Sequence, residues 1–136
     1  MNAGTRRAVW RRAGSRCEYC QIQQADDFLP FHIDHIRSLK HGGTDALDNL
    51  ALACMDCNAH KGTDLSAIDS ETGALVPIFD PRRQPWTQHF RWQGVTLQGI
   101  TPSGRATAAL LRINDPPRLA LRRSLQAEGR FPPPPE

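Results

Sequence analysis

Apolar positions change their spacing several times along the chain, and each change marks an element. Residues 4–14, GTRRAVWRRAG, place Val9 and Trp10 on an apolar side among arginines, with Thr5 near the start and Gly14 as a stop. That pattern predicts a short helix. Phe28 to Ile36, FLPFHIDHI, partly alternates apolar with polar and is rich in aromatic and β-branched side chains, which predicts a strand. Lys40 to Asp45 reads as a loop, Leu50 to Ala53 as a returning strand, and Asp56 to Lys61 as a helix ended by Gly62. Beyond Leu65, Pro77, Pro81 and Pro85 punctuate short stretches in which Trp86, Phe90 and Trp92 supply the large apolar groups, a pattern of hairpins. Thr101 and Pro102 are suited to the N-cap and first turn of another helix, followed by Ala106, Ala109, Leu110 and Ile113 at helical spacing. A last helix is predicted after Pro116 and Pro117, with Leu121 and Leu125 inward and Arg118 and Arg122 on another face. The tail, residues 131–136, reads as extended and exposed. The order strand, loop, strand, helix predicts a small α+β core over residues 1–65, with a hairpin and helix extension, residues 66–136, packed on it.

The cysteines add a staple to this outline. Cys17, Cys20, Cys54 and Cys57 form two Cys-x-x-Cys pairs. No apolar run approaches the roughly 20 residues of a membrane-spanning helix, and the N-terminal stretch MNAGTRRAVWRR lacks the apolar run of a secretion signal. A soluble, cytoplasmic protein is therefore expected, in a compartment where disulfides are the weaker reading. Two such pairs supply four thiolates to a tetrahedral structural zinc, each pair forming a knuckle; a redox pair or unliganded thiols are the other readings. The 33 residues between Cys20 and Cys54 exceed a simple ribbon spacing of roughly 15–20. The insert is long enough to hold a site of its own.

Charge points to a partner. Of 17 basic residues only Lys40 and Lys61 are lysines, so the chain favours the side chain best shaped for bidentate contact with phosphate or carboxylate. Residues 1–16 carry +5, residues 17–65 carry −5 and residues 66–136 carry +3. An acidic middle between basic ends suits a cation site with arms for a polyanion, although solvated charged faces arise without one.

The chemistry is concentrated in His32-Ile33-Asp34-His35-Ile36, Gly42-Gly43-Thr44, Asn49-Leu50 and Cys54-Met55-Asp56-Cys57-Asn58-Ala59-His60-Lys61. With the Cys-Glu-Tyr-Cys knuckle, these motifs fall in an order that resembles the HNH endonuclease family over residues 8–65. Residues 86–114 are similar to an extension found on some bacterial members. The resemblance implies a zinc-stapled ββα-metal nuclease core hydrolysing phosphodiester bonds in DNA, double-stranded by expectation. It implies His35 as the general base, a role imidazole can fill near neutral pH. Asp34 and Asn58, the latter at the position of the family's final histidine, would ligate a catalytic divalent ion acting as a Lewis acid. Their oxygen donors suit magnesium or manganese better than zinc or nickel. Asn49 would fix the loop and orient His35. Lys61 would contact the DNA backbone, with Arg11, Arg12 and Arg37 as further nucleic-acid contacts.

Other readings stay open at this point. Neighbouring strand residues face opposite ways, so Asp34 and His35 serve one phosphate only if the strand end twists or the phosphate lies between them. Arg82, Arg83, Arg118, Arg122 and Arg123 suit either phosphates or a solvated face. His32 is placed beside the site, and His41 and His60 are expected in solvent. The alternative to the enzyme is a non-catalytic zinc module that binds nucleic acid or protein. A thiol–disulfide oxidoreductase would call for a thioredoxin-like βαβ pattern that is not seen.

Overall fold

The computed structural model describes residues 1–134, and the chain divides into two compact units. The first comprises Met1–Leu65 with Asp80–Gln84, the second Ser66–Phe79 with residues from Pro85 onward. No helix among the described residues is long and apolar enough to cross a membrane.

In the first unit, helix α1 spans Ala3–Ala13. Its cap is Asn2, whose side chain accepts from the Thr5 N–H, so the helix begins at Ala3, one residue before the span the sequence suggests. Gly14 ends it in the left-handed conformation (φ 63°), where a side chain would be strained. Strand β1 is His32–His35 and pairs antiparallel with β2, Leu50–Ala53, in the register Asp34 to Ala51 and His35 to Leu50. The predicted strand from Phe28 is too long. Gln24 holds residues 29–31 as a loop, donating to the Leu29 carbonyl (2.9 Å) and accepting from the Phe31 N–H (2.8 Å), and Phe28 stands in solvent.

All four residues of β2 are buried. β1 occupies one edge, and on the other the first knuckle imitates a strand: Glu18 N–H donates to the Leu52 carbonyl (2.8 Å), and its carboxylate accepts from the Leu52 N–H (2.8 Å). α1 packs its Val9 and Ala13 stripe on the same strand. Arg82 donates to the Glu18 carboxylate, tying segment 80–84 to this knuckle, and burial lowers the pKa of its guanidinium to about 10. Helix α2, Met55–Lys61, follows β2 directly.

The second unit holds two hairpins, β3 (Ser66–Ile68) with β4 (Leu75–Pro77) and β5 (Phe90–Gln93) with β6 (Thr96–Gly99), and helices α3 (Trp86–His89), α4 (Pro102–Leu110) and α5 (Pro116–Ala127). Thr101 caps α4 as expected, but the buried positions are Gly104, Ala106, Thr107 and Ala108, while Ala109 faces out. The reason is a close approach: a Cβ on Gly104 would lie 2.1 Å from the His89 carbonyl oxygen, so the helix turns its small residues toward its neighbours. Arg122 is buried, not solvated; it donates to the carbonyls of Val95 (2.8 Å) and Ile113 (2.9 Å) and lies over the Trp92 ring. Phe131 is likewise buried against Trp92, so the expected exposed tail begins only after it, and residues 135–136 lie outside the described residues.

Asp69 has no solvent-exposed surface and accepts from Arg105 Nε (2.9 Å), Arg105 Nη2 (3.0 Å) and Thr72 Oγ1 (2.8 Å). These donors, Arg105 first, hold its carboxyl far below the ordinary range. A depressed folded-state pKa contributes stability that is complete above the unfolded value, about 4, and is lost as the pH falls below it. Thermal midpoints of the parent should therefore decline in acid, and Asp69→Asn should flatten that decline between about pH 4 and pH 2.

Candidate metal centre and active site

The four cysteine sulfurs converge. All lie within 4.8 Å of one another, buried, and Cys20 Sγ is 3.7 Å from Cys54 Sγ. That separation is far beyond a disulfide and close to the roughly 3.8 Å edge of a tetrahedron with Zn–S bonds of about 2.3 Å. Within each knuckle a backbone N–H points at a sulfur, Cys20 N–H at Cys17 Sγ and Cys57 N–H at Cys54 Sγ, both at 3.4 Å. Crowding by neighbouring thiols at Cys54, and burial at Cys57, push these thiols up, so four thiolates need a dication among them. The donor set fits a structural zinc.

On the same scaffold β1 ends in Asp34 and His35, which point opposite ways. Asp34 turns inward and is 4% exposed. Its Oδ2 accepts from the buried Tyr19 hydroxyl (2.7 Å) and its Oδ1 from Lys61 Nζ (3.2 Å). Burial pushes the Asp34 carboxyl above its ordinary range, opposed by Lys61 and Tyr19. Burial and the Asp34 charge push the Tyr19 phenol well up, so it stays a donor. Lys61 also donates to the carbonyls of His35 (3.0 Å) and Ile36 (3.1 Å). Being 1% exposed, it cannot reach the DNA backbone as the resemblance implies. Three backbone and side-chain acceptors, not a phosphate, take its donors.

His35 faces outward, half-buried, with Nε2 2.7 Å from Asp45 Oδ1. The loop that delivers Asp45 is pinned by Asn49. Its Oδ1 accepts from the Arg37 N–H (2.9 Å), and its Nδ2 donates to the carbonyls of Arg37 (2.9 Å) and Thr44 (2.8 Å). Asn49 also accepts through its carbonyl from the Ile36 N–H (2.9 Å), directly after His35. Gly43 is required here because a Cβ would lie 1.8 Å from the Arg37 carbonyl oxygen. Asn58 is half-buried on α2, three residues before Lys61 and so on the neighbouring part of the helix surface that meets β1.

The basic candidates separate. Arg11 and Arg37 are exposed. Arg12 turns its guanidinium onto the carbonyls of Leu47 (2.8 Å) and Leu50, bracing α1 against the start of β2. Where the sequence suggested a phosphate contact, two of its donors are taken by these carbonyls, although the residue is exposed like Arg11 and Arg37. His32 and His41 are exposed, whereas His60 Nδ1 engages the Asp56 carbonyl at 2.8 Å. Sequence reasoning passed over Tyr19, Glu18 and Asp45. Tyr19 lies inside the Cys-x-Tyr-Cys knuckle, and its position between two of the clustered cysteines was the available signal.

Residues 17–64 match the family model of the HNH endonucleases. The chain carries an HNH endonuclease domain. Both knuckles, the Asp34–His35 strand end, the Asn49-pinned loop and α2 fall within the HNH match, while α1 and the whole second unit lie outside it. No curated protein and no solved structure matches the chain.

Proposed function

We propose that the protein is a divalent-metal-dependent endonuclease that hydrolyses phosphodiester bonds in double-stranded DNA, with a structural zinc separate from its catalytic ion. The observation that carries this reading is the strand end itself, where an outward His35 held by a carboxylate adjoins an inward Asp34 on the strand that packs against α2, the helix carrying Asn58. The zinc staple alone requires none of these three.

Asp34 and Asn58 would hold the catalytic ion. A carboxylate has about four lone-pair sites, and Tyr19 and Lys61 leave Asp34 with acceptor capacity, while the Asn58 amide oxygen is a neutral hard donor of the kind magnesium and manganese accept. The ion would polarise the scissile phosphate and stabilise the departing oxygen. His35 takes the proton from the attacking water. Asn49 keeps the strand end and loop in register, and Arg37 and Arg11 hold phosphates without reading sequence.

The test is nicking of supercoiled plasmid by zinc-loaded, otherwise metal-depleted protein after adding magnesium or manganese. Cleavage is expected with either ion, and His35→Ala should lower the rate by about a hundredfold or more, the contribution of a positioned general base. Equal cleavage by both proteins removes His35 from the chemistry. Activity restored by nickel or zinc alone overturns the oxygen-ligand assignment.

A further inference from the structure

The geometry points to Asp45 as the positioning residue for His35, fixing the imidazole in the tautomer that carries its proton on Nε2 and leaves Nδ1 as the proton-accepting nitrogen. This rests on the general-base reading of His35. The 2.7 Å contact joins Asp45 Oδ1 to Nε2, and Asp45 also lies 3.2 Å from the Met1 amine. The hydrogen bond from His35, first among several influences, holds the Asp45 carboxyl below its ordinary range. An ionised carboxylate only accepts, so the hydrogen in this bond belongs to the ring. A neutral imidazole with its hydrogen on Nε2 has its lone pair on Nδ1.

Asp45 is not a chance surface partner swinging on a free loop. The residue before it is fixed by Asn49 Nδ2 on the Thr44 carbonyl (2.8 Å), and the residue after it by Ala46 N–H on Thr44 Oγ1 (3.2 Å). Gly43 seats the preceding turn against the Arg37 carbonyl at a distance no side chain permits. The same Asn49 amide bonds Arg37, two residues past His35. One asparagine therefore sets both ends of the Asp45–His35 pair, so that the function expected of Asn49 in orienting His35 is exercised through Asp45. Geometry of this kind is worth most when the ring must be in one tautomer at the moment of proton transfer.

The test combines ring-nitrogen NMR of zinc-loaded protein labelled with 15N-histidine, without added magnesium, and plasmid-nicking kinetics. Spectra of His35→Gln assign the His35 signals. The parent should show a protonated Nε2 and a free Nδ1 on neutral His35; the opposite tautomer overturns the proposal without any Asp45 variant being made. Asp45→Ala should mix the tautomers and lower kcat by about 10–100-fold, the range for orienting partners, with KM, zinc content and thermal midpoint unchanged. Asp45→Glu should restore part of the loss. If Asp45→Ala keeps the parental tautomer and kcat while His35→Ala is inactive, the general-base reading stands and the Asp45 proposal fails. Parental cleavage by His35→Ala overturns both.

Discussion

Removing the zinc is expected to unfold the first unit. Cys17 and Cys20 sit in a turn whose Glu18 pairs with the outer edge of β2, and Cys54 and Cys57 bracket the passage from β2 into α2. A metal on the four cysteines would join the two ends of a 33-residue insert whose ladder is one four-residue strand pair, and the helix that follows the insert has seven residues. A helix that short does not hold its shape in water without tertiary support. Structural zinc contributes about 10–16 kcal/mol in small zinc-dependent folds, as large as or larger than the roughly 5–15 kcal/mol by which a native domain is stable. Chelation at neutral pH should therefore abolish protection of the amides of residues 50–61 in hydrogen exchange. Cys54→Ser should do the same, because Cys54 is at once one of the four clustered thiols and the cap that accepts the Cys57 N–H. A metal-free protein that keeps those amides protected and offers four titratable thiols would refute the zinc assignment.

Local punctuation in the sequence announces much of the fold. Gly14, Gly62 and the Thr101–Pro102 pair stop or start their helices by their own backbone preferences, which act within one turn of chain and need no tertiary context. The same holds for Leu50–Ala53, whose continuous apolar character reflects burial on every side. What local pattern misses is set by distant partners. Residues 28–31 have strand-like composition but form a loop because Gln24 claims their backbone groups. Arg122 sits at a helical position that reads as solvated, yet three acceptors from the turn between β5 and β6 and the residues after α4 draw it inward.

The candidate site divides along the same line. His35, Asp34, Asn49 and Asn58 stand out through motif spacing, whereas Asp45 gains its place only when the loop folds back over ten residues to His35. Lys61 shows the limit most clearly. Its position three residues after Asn58 is legible, but whether that face meets solvent or a buried carboxylate depends on the packing of α2 on β1.

Lys61→Met should accordingly act on stability. Lys61 and Asp34 are 1% and 4% exposed, and the ammonium also satisfies the carbonyls of His35 and Ile36. Truncating it leaves a buried carboxylate facing the Tyr19 hydroxyl and two carbonyls without their donor. Breaking a buried pair from one side costs about 3–5 kcal/mol. At about 4–8 °C per kcal/mol for a domain of 60–100 residues, the thermal midpoint should fall by roughly 12 °C or more. Lys61→Arg should not rescue it, since the forked guanidinium needs more room than a compact ammonium held by three convergent oxygens. Removing the partner charge as well, in Asp34→Asn with Lys61→Met, should recover part of the loss, and the recovery measures the coupling of the pair. A phosphate contact behaves differently: Lys61→Met would then leave the midpoint unchanged, weaken DNA binding evenly across sequences and reduce its salt dependence by about one ion. Thermal unfolding and salt-titrated binding of the same variant therefore separate a lysine that braces the strand end from one that grips the substrate.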